Sequence, residues 1–582
     1  MESITTLSKL SHYLSKNRNA MLVGALCIVA AQALALCIPW LTKLAIDSVG
    51  AGMHPRTLAT YAVLIVGAAA IQGVFRFAMR KLMIGASRKM EYELRDDLFA
   101  HLLKLSPSYF GRSRTGDIIA RATNDVAAVR EFLGPGIMYS INTVVALVAA
   151  VALMVYIDPF LTLFALVPLP FLALAVNRFG KLVRERFDQV QQQFSRLTTN
   201  VHENLSGIRI VKAYGDEENE KEKFRRLNED YVEKNIKLVR VWGTFFPLIA
   251  FMGGLGTVVV LWLGGIQVTK GRITLGDFVA FTGYLAMLTW PAIAVGWVVN
   301  LLQRGAASMK RICEILERTP EISDLNPVPI QKLDGEIEFR NVSFSYDPTV
   351  LPALKDVSFR LPRGKKLAVV GKTGSGKSTL LNLIPRLFQP TSGRILIDGV
   401  ELERIPLRLL RKSIGYVPQE SFLFSDTIRE NIAYGVAHAR DEEIAEVAVI
   451  SKIAEEVEEF TGKFETLVGE RGITLSGGQK QRTAISRAVI VNPAILLLDD
   501  AFSSVDTAAE REILSRLRRR LGDRTWVIVS HRVSTVSLAD EILVLDNGIV
   551  VERGTHRELL STGKHYRELH RRQLLEEELE AR

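Results

Sequence analysis

The first 318 residues alternate long apolar stretches with polar ones, and the rest of the chain does not. Six of the apolar stretches lack charged residues over about the 20 positions that a bilayer-spanning helix requires. They lie near 20–41, 57–75, 133–157, 159–177, 241–266 and 278–302. The first is longer than the apolar part of a secretory signal peptide and further spans follow it, so we expect it to stay in the membrane. The pattern predicts a helical membrane domain of six transmembrane helices over residues 1–318.

Basic residues flank this block of spans on both sides. They are Lys9, Lys16 and Arg18 before the first span, and Arg304, Lys310 and Arg311 after the last. Because cytoplasmic flanks of transmembrane helices carry an excess of Lys and Arg, both ends of the block are expected in the cytoplasm. We therefore expect a multi-pass protein of the cell (inner) membrane with cytoplasmic N- and C-termini.

The connections between spans differ in length on the two sides of the membrane. Those expected outside are short, near 42–56, at 158–159 and at 267–277, whereas the inside connections, 76–132 and 178–240, are long. The long ones carry mixed charge with apolar residues at helical spacing. They predict intracellular extensions of the helices that reach about 25 Å or more below the bilayer, at 1.5 Å per residue.

Residues 335–582 have a different pattern, with short β-rich runs alternating with helical ones. A polar, Pro-containing segment at 319–334 separates them from the membrane block and reads as a linker. The predicted fold is therefore a membrane α-helical domain followed by an α/β domain.

The stretch "LAVVGKTGSGKSTLL" opens this second domain with a strand, a glycine-rich loop and a helix start. This is the G-x-x-x-x-G-K-S pattern, whose glycines let backbone N–H groups close around phosphate oxygens. Lys377 adds a positive charge for the β and γ phosphates, and the Ser378 hydroxyl can ligate Mg²⁺. The second domain is therefore predicted to be an α/β P-loop nucleotide-binding domain. The predicted nucleotide-binding residues of this loop are Gly371, Lys372, Thr373, Gly374, Ser375, Gly376, Lys377, Ser378 and Thr379.

Two further motifs lie downstream of the loop. The apolar run "ILLLD" ends at Asp499, a carboxylate placed to help hold Mg²⁺. Shortly before it, "LSGGQ" puts Ser476, Gly477, Gly478 and Gln479 at a helix start, which makes a second anion-binding terminus. One nucleotide does not need two such termini from one domain. The pair predicts two domains that face each other, each lending its second terminus to the nucleotide of the other.

These motifs together resemble those of a half-size ATP-binding cassette exporter, of the bacterial multidrug and lipid exporter type, and the resemblance covers nearly the whole chain. It implies ATP and Mg²⁺ as cofactors. It also implies that Tyr346 stacks on adenine, that Gln419 touches Mg²⁺ and the attacking water, and that His531 binds the γ-phosphate. The "SSVD" segment that ends at Asp506 is similar to the D-loop of that family. The segments around 114–117 and 214–216 resemble the tips of its intracellular coupling loops.

Asp500 is the one departure from the family pattern at a catalytic position. The family commonly has Glu there, the carboxylate that polarises the attacking water, and the Asp carboxylate sits roughly 1–1.5 Å further back, a displacement that can cost about 10²-fold in rate. In the resembling family such an Asp is common in one subunit of heterodimeric exporters. This favours a heterodimer in which the present chain contributes the weak site, whereas the retained His531 favours an active homodimer, which stays possible.

Composition narrows the choice of partners and cargo. The net charge of +10 accompanies no aromatic-rich basic motif, so we attribute it to membrane topology and expect no nucleic-acid partner. The spans contain no acidic residue and few strongly polar ones apart from Gln32, Gln72 and Asn142. An amphipathic or apolar cargo, a drug or a lipid, is favoured. Two functions stay open: an ATP-hydrolysing exporter, and an ATP-gated regulatory membrane protein with little turnover.

Overall fold

The computed structural model describes residues 11–50, 55–324, 326–347 and 349–580. Its contacts divide the chain into two compact units. The first comprises Met1–Leu103 and Thr115–Arg318, and the second comprises Lys104–Arg114 and Thr319–Arg582. Lys9 and part of the predicted outside connection 42–56 fall outside the described residues.

The described residues of the first unit are almost all helical. Its helices are α1 (Arg18–Gly50), α2 (Pro55–Leu102), α4 (Thr115–Ala120), α5 (Val126–Glu131), α6 (Ile137–Ile157), α7 (Pro159–Leu166), α8 (Pro168–Ser206), α9 (Ile208–Tyr214), α10 (Glu217–Val259), α11 (Gly265–Thr269) and α12 (Leu275–Leu316). Helix α3 (Pro107–Arg112) belongs to the second unit. Three π-helical turns join successive helices, at Arg121–Asp125, Phe132–Gly136 and Val260–Gly264.

Four helical segments among the described residues are long and apolar enough to cross a membrane. They are Arg18–Val49, Arg56–Leu102, Thr115–Ile157 and Leu275–Leu316, and they contain the first three predicted spans and the last. The other two predicted spans, 159–177 and 241–266, lie on helices that are interrupted, the first at Val167 and the second by the π turn at Val260–Gly264. Those two spans stay predictions.

Close backbone packing joins α12 to the segment between α5 and α6. A Cβ on Gly305 would lie 2.2 Å from the Cβ of Phe132, and one on Gly134 would lie 2.5 Å from the Ser87 hydroxyl. A few residues away, the buried Asp125 carboxylate accepts hydrogen bonds from Ser308 Oγ (2.9 Å) and Arg311 Nε (2.8 Å). The chain thus uses small residues where these helices approach most closely and hydrogen bonds to a buried carboxylate nearby.

Helices α8 and α10 run together beyond the apolar part of the unit. Gln193 donates to the Leu227 carbonyl (3.0 Å) and accepts from Lys234 Nζ (3.0 Å). Nearer the end of the pair, Asn204 donates to Glu220 (2.7 Å). At 39 and 43 residues, these helices are each roughly 60 Å long at 1.5 Å per residue, which exceeds the bilayer core by about a factor of two.

The second unit contains two sheets. The strands are β1 (Ile337–Phe344), β2 (Leu354–Leu361), β3 (Lys366–Gly371), β4 (Ser392–Ile397), β5 (Val400–Glu401), β6 (Ile414–Val417), β7 (Ile495–Asp499), β8 (Thr525–Val529), β9 (Glu541–Asp546) and β10 (Ile549–Gly554). The smaller sheet is antiparallel with the order β2-β1-β4-β5, and the larger has the order β10-β9-β3-β8-β7-β6. All neighbours in the larger sheet are parallel except β10 and β9.

Helices surround the larger sheet. They are α13 (Lys377–Leu383), α14 (Leu407–Lys412), α15 (Ile428–Ala433), α16 (Asp441–Ile450), α17 (Ala454–Glu459), α18 (Gly477–Ile490), α19 (Thr507–Leu521), α20 (Val533–Val536), α21 (His556–Thr562) and α22 (His565–Glu580), with short 3₁₀ turns at Leu402–Arg404, Lys463–Glu465 and Glu470–Gly472. Strands β3, β7 and β8 are buried along their whole length, as expected for a parallel sheet covered on both faces.

Candidate functional site

The order of the parallel strands decides which loops meet. Strand β8 lies between β3 and β7, with Val529 paired to Val369 on one side and to Asp499 on the other. The carboxyl ends of these strands share one edge of the sheet, where α/β proteins of this type bind their ligands. The residues that follow β3, β7 and β8 are therefore neighbours in space although more than a hundred positions separate β3 from β7.

The loop after β3 takes a conformation that only glycine fits at two places. Gly371 has φ +155° and a Cβ there would lie 2.1 Å from the Leu545 carbonyl oxygen; Gly376 has φ +100° and a Cβ there would lie 2.5 Å from the Ala353 carbonyl oxygen. Between them the Ser375 hydroxyl is buried and has no hydrogen-bond partner among the described residues. The loop thus packs closely against neighbouring backbone, and it contains a buried hydroxyl without a hydrogen-bond partner among the described residues.

Lys377, Ser378 and Asp499 form the floor of the site. The Lys377 ammonium is buried and donates to the carbonyl oxygens of Gly371 and Lys372, both at 2.8 Å. Ser378 Oγ donates to the Asp499 carboxylate at 3.1 Å. Hydroxyl and carboxylate oxygens are the ligands that Mg²⁺ takes, so this donor pair fits the expected cation.

Burial and charge act in opposite directions on these groups. Burial lowers the pKa of Lys377, and the neighbouring Asp499 and Asp500 carboxylates raise it. Burial also raises the pKa of Asp499, and Asp500 adds to that rise, whereas the Ser378 hydrogen bond and Lys377 lower it. Two neighbouring carboxylates at the end of a buried strand are stabilised by a nearby positive charge, which supports a metal cation here.

A cavity of about 310 Å³ brings most of the predicted site residues together. Its lining residues are Tyr346, Ala353, Thr373, Gly374, Gly376, Lys377, Ser378, Thr379, Gln419, Asp499, Asp500, Val529 and His531. All three predicted catalytic side chains, Asp500, His531 and Gln419, are among them. Partial desolvation and the Lys377 charge lower the pKa of His531, so its imidazole is held neutral near pH 7.

Tyr346 lies at one side of this cavity. Its hydroxyl is 3.1 Å from Thr379 Oγ1, and its ring makes edge contacts with Phe344 and Phe388. The side chain is 48% exposed, so a ring face is available to a base. Its carbonyl oxygen accepts a hydrogen bond from the Arg112 guanidinium (3.1 Å) on α3. Sequence reasoning missed Arg112, because nothing in its surroundings marks a residue more than 200 positions away as a partner.

Three of the predicted loop residues do not line the 310 Å³ cavity that contains Lys377. Gly371 and Lys372 line a neighbouring cavity of about 330 Å³, which helix α22 borders on the other side. Ser375 is buried within the loop itself. Thr373 and His531 line both cavities, so the two spaces lie back to back around the loop.

The four residues of the LSGGQ motif at 476–479, called the signature residues below, lie away from the cavity. Ser476 caps helix α18, with Oγ accepting from the Gln479 N–H (3.3 Å) and the Gln479 side chain accepting from the Ser476 N–H (2.8 Å). Cβ atoms added at Gly477 and Gly478 would lie 3.2 Å and 2.8 Å from atoms of Ser504. The helix N-terminus is therefore packed on the turn after β7 and is not directed at this chain's own site.

Comparisons with known proteins agree with both halves of this description. Residues 21–292 match the family described as the ABC transporter transmembrane region, and residues 354–503 match that described as ABC transporter. The chain is 37% identical, over 95% of each sequence, to the "Probable multidrug resistance ABC transporter ATP-binding/permease protein YheI" of Bacillus subtilis. It is 34% identical to the ATP-dependent lipid A-core flippase of Syntrophus aciditrophicus, over 96% of this chain and 92% of the flippase.

One solved structure is similar along the whole length. It is that of a bacterial Atm1-family ABC exporter with ATP bound, which aligns with a TM-score of 0.79 at 28% sequence identity. The alignment covers 96% of this chain and 98% of the exporter chain.

Proposed function

Because the chain belongs to the ATP-binding cassette transporter family and carries its membrane region before its ATP-binding domain, we propose that it exports amphipathic or hydrophobic compounds as one half of a dimeric transporter. It is an ATPase-coupled transmembrane transporter subunit. Relatives named for multidrug resistance and for lipid A-core flipping support drugs or lipids as the cargo. Their full-length similarity supports alternating access driven by ATP as the mechanism.

The observation that carries the dimer is the separation of the two anion-binding elements. The cavity holds Lys377, Ser378 and both aspartates, and the signature residues at 476–479 do not line it. A second nucleotide-binding domain is needed to present its own signature helix to the γ-phosphate held here. This chain's α18 then serves the nucleotide of the partner.

We assign the chemistry of the site as follows. The loop N–H groups and Lys377 hold the phosphates, and Tyr346 holds the adenine. Ser378, Asp499 and Gln419 hold Mg²⁺, which neutralises phosphate charge when bound. Asp500 orients and polarises the attacking water, and the N–H of the neutral His531 imidazole donates to a γ-phosphate oxygen. Other members of the phosphate-binding set are Gly371, Lys372, Thr373, Gly374, Ser375, Gly376 and Thr379.

The identity of the partner subunit is the finer part of the proposal. The shorter Asp500 makes this chain's own site the slow one, while its complete signature motif can serve a competent site in the partner. We therefore favour a heterodimer. A homodimeric drug or lipid flippase is the second candidate, and the presence of His531 in the cavity favours it.

A regulatory membrane protein that binds ATP without turnover is a third candidate, kept open by Asp500 alone. For all three we expect domain bounds of 1–318, 319–334 and 335–582, six spans, and cytoplasmic termini in the inner membrane. Vanadate-sensitive ATPase activity, measured with the chain alone and with a candidate partner, separates the exporters from the regulatory protein.

The test of the exporter is Lys377→Ala. Loss of the ammonium is expected to abolish ATP hydrolysis and ATP-driven uptake into inverted vesicles, with normal membrane insertion. The matched control is Lys365→Ala, because Lys365 lies at the opposite end of β3, where it pairs with Asp540 at the surface (3.2 Å). Wild-type turnover by Lys377→Ala, or equal loss in both variants, would contradict the assignment.

A further inference from the structure

The turn that follows Asp500, residues 501–505, is held from two sides. On one side, Gln481 of the signature helix α18 donates to Ser503 Oγ (2.7 Å) and accepts from the Ser504 N–H (2.8 Å). Gln481 is only 5% exposed, so its amide is held in place by the helix packing and meets the exposed turn from the buried side. The turn is also tied to Asp500, whose carbonyl oxygen accepts from the Ser503 N–H (3.2 Å).

On the other side, the turn is held by the residue after His531. Arg532 Nη1 donates to the Val505 carbonyl (2.8 Å), and its Nη2 lies 3.4 Å from the Ser503 carbonyl oxygen. Its backbone N–H donates to Ser530 Oγ (3.0 Å). The guanidinium therefore bridges the segment that carries His531 and the turn that follows Asp500.

A fully buried carboxylate fixes the position of Arg532. Glu510 on α19 is 0% exposed, and it accepts from Arg532 Nη1, Ser534 Oγ and Thr535 Oγ1. A buried carboxylate with this many donors has one geometry, because any displacement leaves a charge unpaired in a medium of low polarity. Arg532 is thus a rigid bracket, and not a mobile surface arginine.

We propose that Gln481 and Arg532, with Glu510 behind it, are positioning residues that hold Asp500 and His531 at a fixed separation and tie both to this chain's signature helix. The inference rests on the proposed function, in which Asp500 and His531 act on this chain's nucleotide and α18 serves that of the partner. A displacement of α18 by the partner's ATP is then passed to Asp500 through Gln481 and the turn 501–505. Neither residue lines the cavity that holds Lys377 and both aspartates.

The experiment measures ATP hydrolysis at this chain's own site, in a full-length dimer whose partner subunit binds ATP but carries an inactivating substitution of its own catalytic carboxylate. Nucleotide binding is measured on the same samples, in two single variants and their double variant. Gln481→Met keeps the side-chain volume and removes both bonds to the turn. Arg532→Lys keeps a charge for Glu510 and removes the second donor that reaches the turn. We expect kcat to fall about tenfold in each, since displacement of a catalytic group by about 1 Å can cost about 10²-fold, while KM and the affinity for trinitrophenyl-ATP change less than about twofold.

The double variant decides whether the two residues act through one turn. If they do, the kcat of the double variant equals that of the less active single variant. If each residue acts independently, the two fold-losses in kcat multiply. Gln481→Glu, which keeps the acceptor for the Ser504 N–H, is expected to recover part of the rate. Arg520→Lys is the matched control, because Arg520 lies on the same α19 and pairs with Glu446 at the surface (3.2 Å).

Three outcomes overturn the inference: an unchanged kcat in Gln481→Met, losses that multiply in the double variant, or a parallel loss of nucleotide affinity and melting temperature. Ser503→Ala provides a variant on an exposed turn that will fold, and a smaller fall in its kcat is expected. Failure of the proposed function looks different. In that case the wild-type protein shows no turnover that Lys377→Ala removes, with or without a partner.

Discussion

Asp500 has an unusual backbone as well as a short side chain. Its φ is +48°, in the left-handed region that Asp and Asn enter more readily than other residues with a Cβ. The conformation is fixed by a hydrogen bond from its N–H to the Val529 carbonyl (2.9 Å). The side chain therefore leaves the strand in a direction set by β8. The length of the side chain then decides how far its carboxylate extends into the cavity.

The first prediction compares three residues at this position. Asp500→Glu adds one methylene without changing the backbone bond to Val529, so turnover at this chain's site is expected to rise. Asp500→Asn is expected to lower the ATPase of a heterodimer only modestly, because the partner's site carries most of the rate. Steady-state ATPase at saturating ATP measures both. If Asp500→Asn abolishes turnover of the chain expressed alone, Asp500 is the working base and the protein is an active homodimer.

Asp499 leads to a different prediction, on pH. Burial raises the pKa of its carboxyl, and only the ionised carboxylate binds Mg²⁺, so protons compete with the cation at acidic pH. The apparent affinity for Mg²⁺ is therefore expected to weaken as the pH falls towards that pKa and to level off above it. Titration of ATPase activity with Mg²⁺ at acidic and at neutral pH measures this, and EDTA is expected to abolish hydrolysis.

The control for the pH effect is Asp499→Asn. This variant cannot carry the proton, so its much weaker Mg²⁺ affinity is expected to lose most of its dependence on pH. A dependence equal to that of the wild type would assign the titration to another group.

At the level of single elements, the signature helix α18 has two separate requirements. Ser476 stabilises the helix start through its cap, and loss of such a cap costs about 1 kcal/mol. The glycines that follow allow Ser504 to approach within contact of the helix backbone. Stability and access to the partner's phosphate are thus set by adjacent residues and can be changed separately.

The prediction for this element uses the pair Ser476→Ala and Ser476→Arg. Both lose the cap, but only Arg adds bulk and charge where the partner's γ-phosphate binds. Ser476→Arg is expected to lower the dimer's ATPase by about 10²-fold or more, as removal of a transition-state contact does, and Ser476→Ala by much less. Gly477→Asp is expected to behave like Ser476→Arg. Equal activity in the Ala and Arg variants would mean that this terminus faces no nucleotide.

The elements that motifs and periodicity define were predicted well, and those defined by distant contacts were not. The loop at 371–379 and the strand ending at Asp499 were predicted because their residue types are required locally, and the structure places both at one edge of the sheet. No local sequence pattern predicts the ion pair between Glu510 and Arg532, since a Glu on an amphipathic helix is usually exposed to solvent. By contrast, the sequence did carry a signal for the interruption at Val167, because Pro168 and Pro170 follow it, but the span there was predicted from its lack of charge alone.

At the scale of the whole molecule, ATP binding and hydrolysis in the second unit have to be coupled to a conformational change in the first. The end of α9 is the feature of the first unit best suited to this. Tyr214 is 84% exposed there, and Gly215 after it takes φ +65° to turn the chain into α10. A large aromatic ring left so exposed at the tip of two long helices favours docking on another domain.

We therefore expect Tyr214→Asp to reduce transport far more than nucleotide binding. Uptake of a fluorescent amphipathic probe into inverted vesicles, with trinitrophenyl-ATP binding measured on the same sample, compares the two. The binding measurement is the internal control, because the ring lies in the unit that does not contain the nucleotide cavity. Equal loss of both would mean that the tip serves only folding.

The close packing of α12 against Phe132 has a consequence for motion during a transport cycle. Where backbone meets side chain with no space for an added methyl group, as at Gly305 and Gly134, two helices cannot slide past one another without a clash. Nearby, Asp125 accepts hydrogen bonds from Ser308 and Arg311 of α12, so these helices are expected to move as one rigid body. Bending is then expected at the interruption at Val167 and at the π turn Val260–Gly264, where the helical hydrogen-bond pattern is already broken.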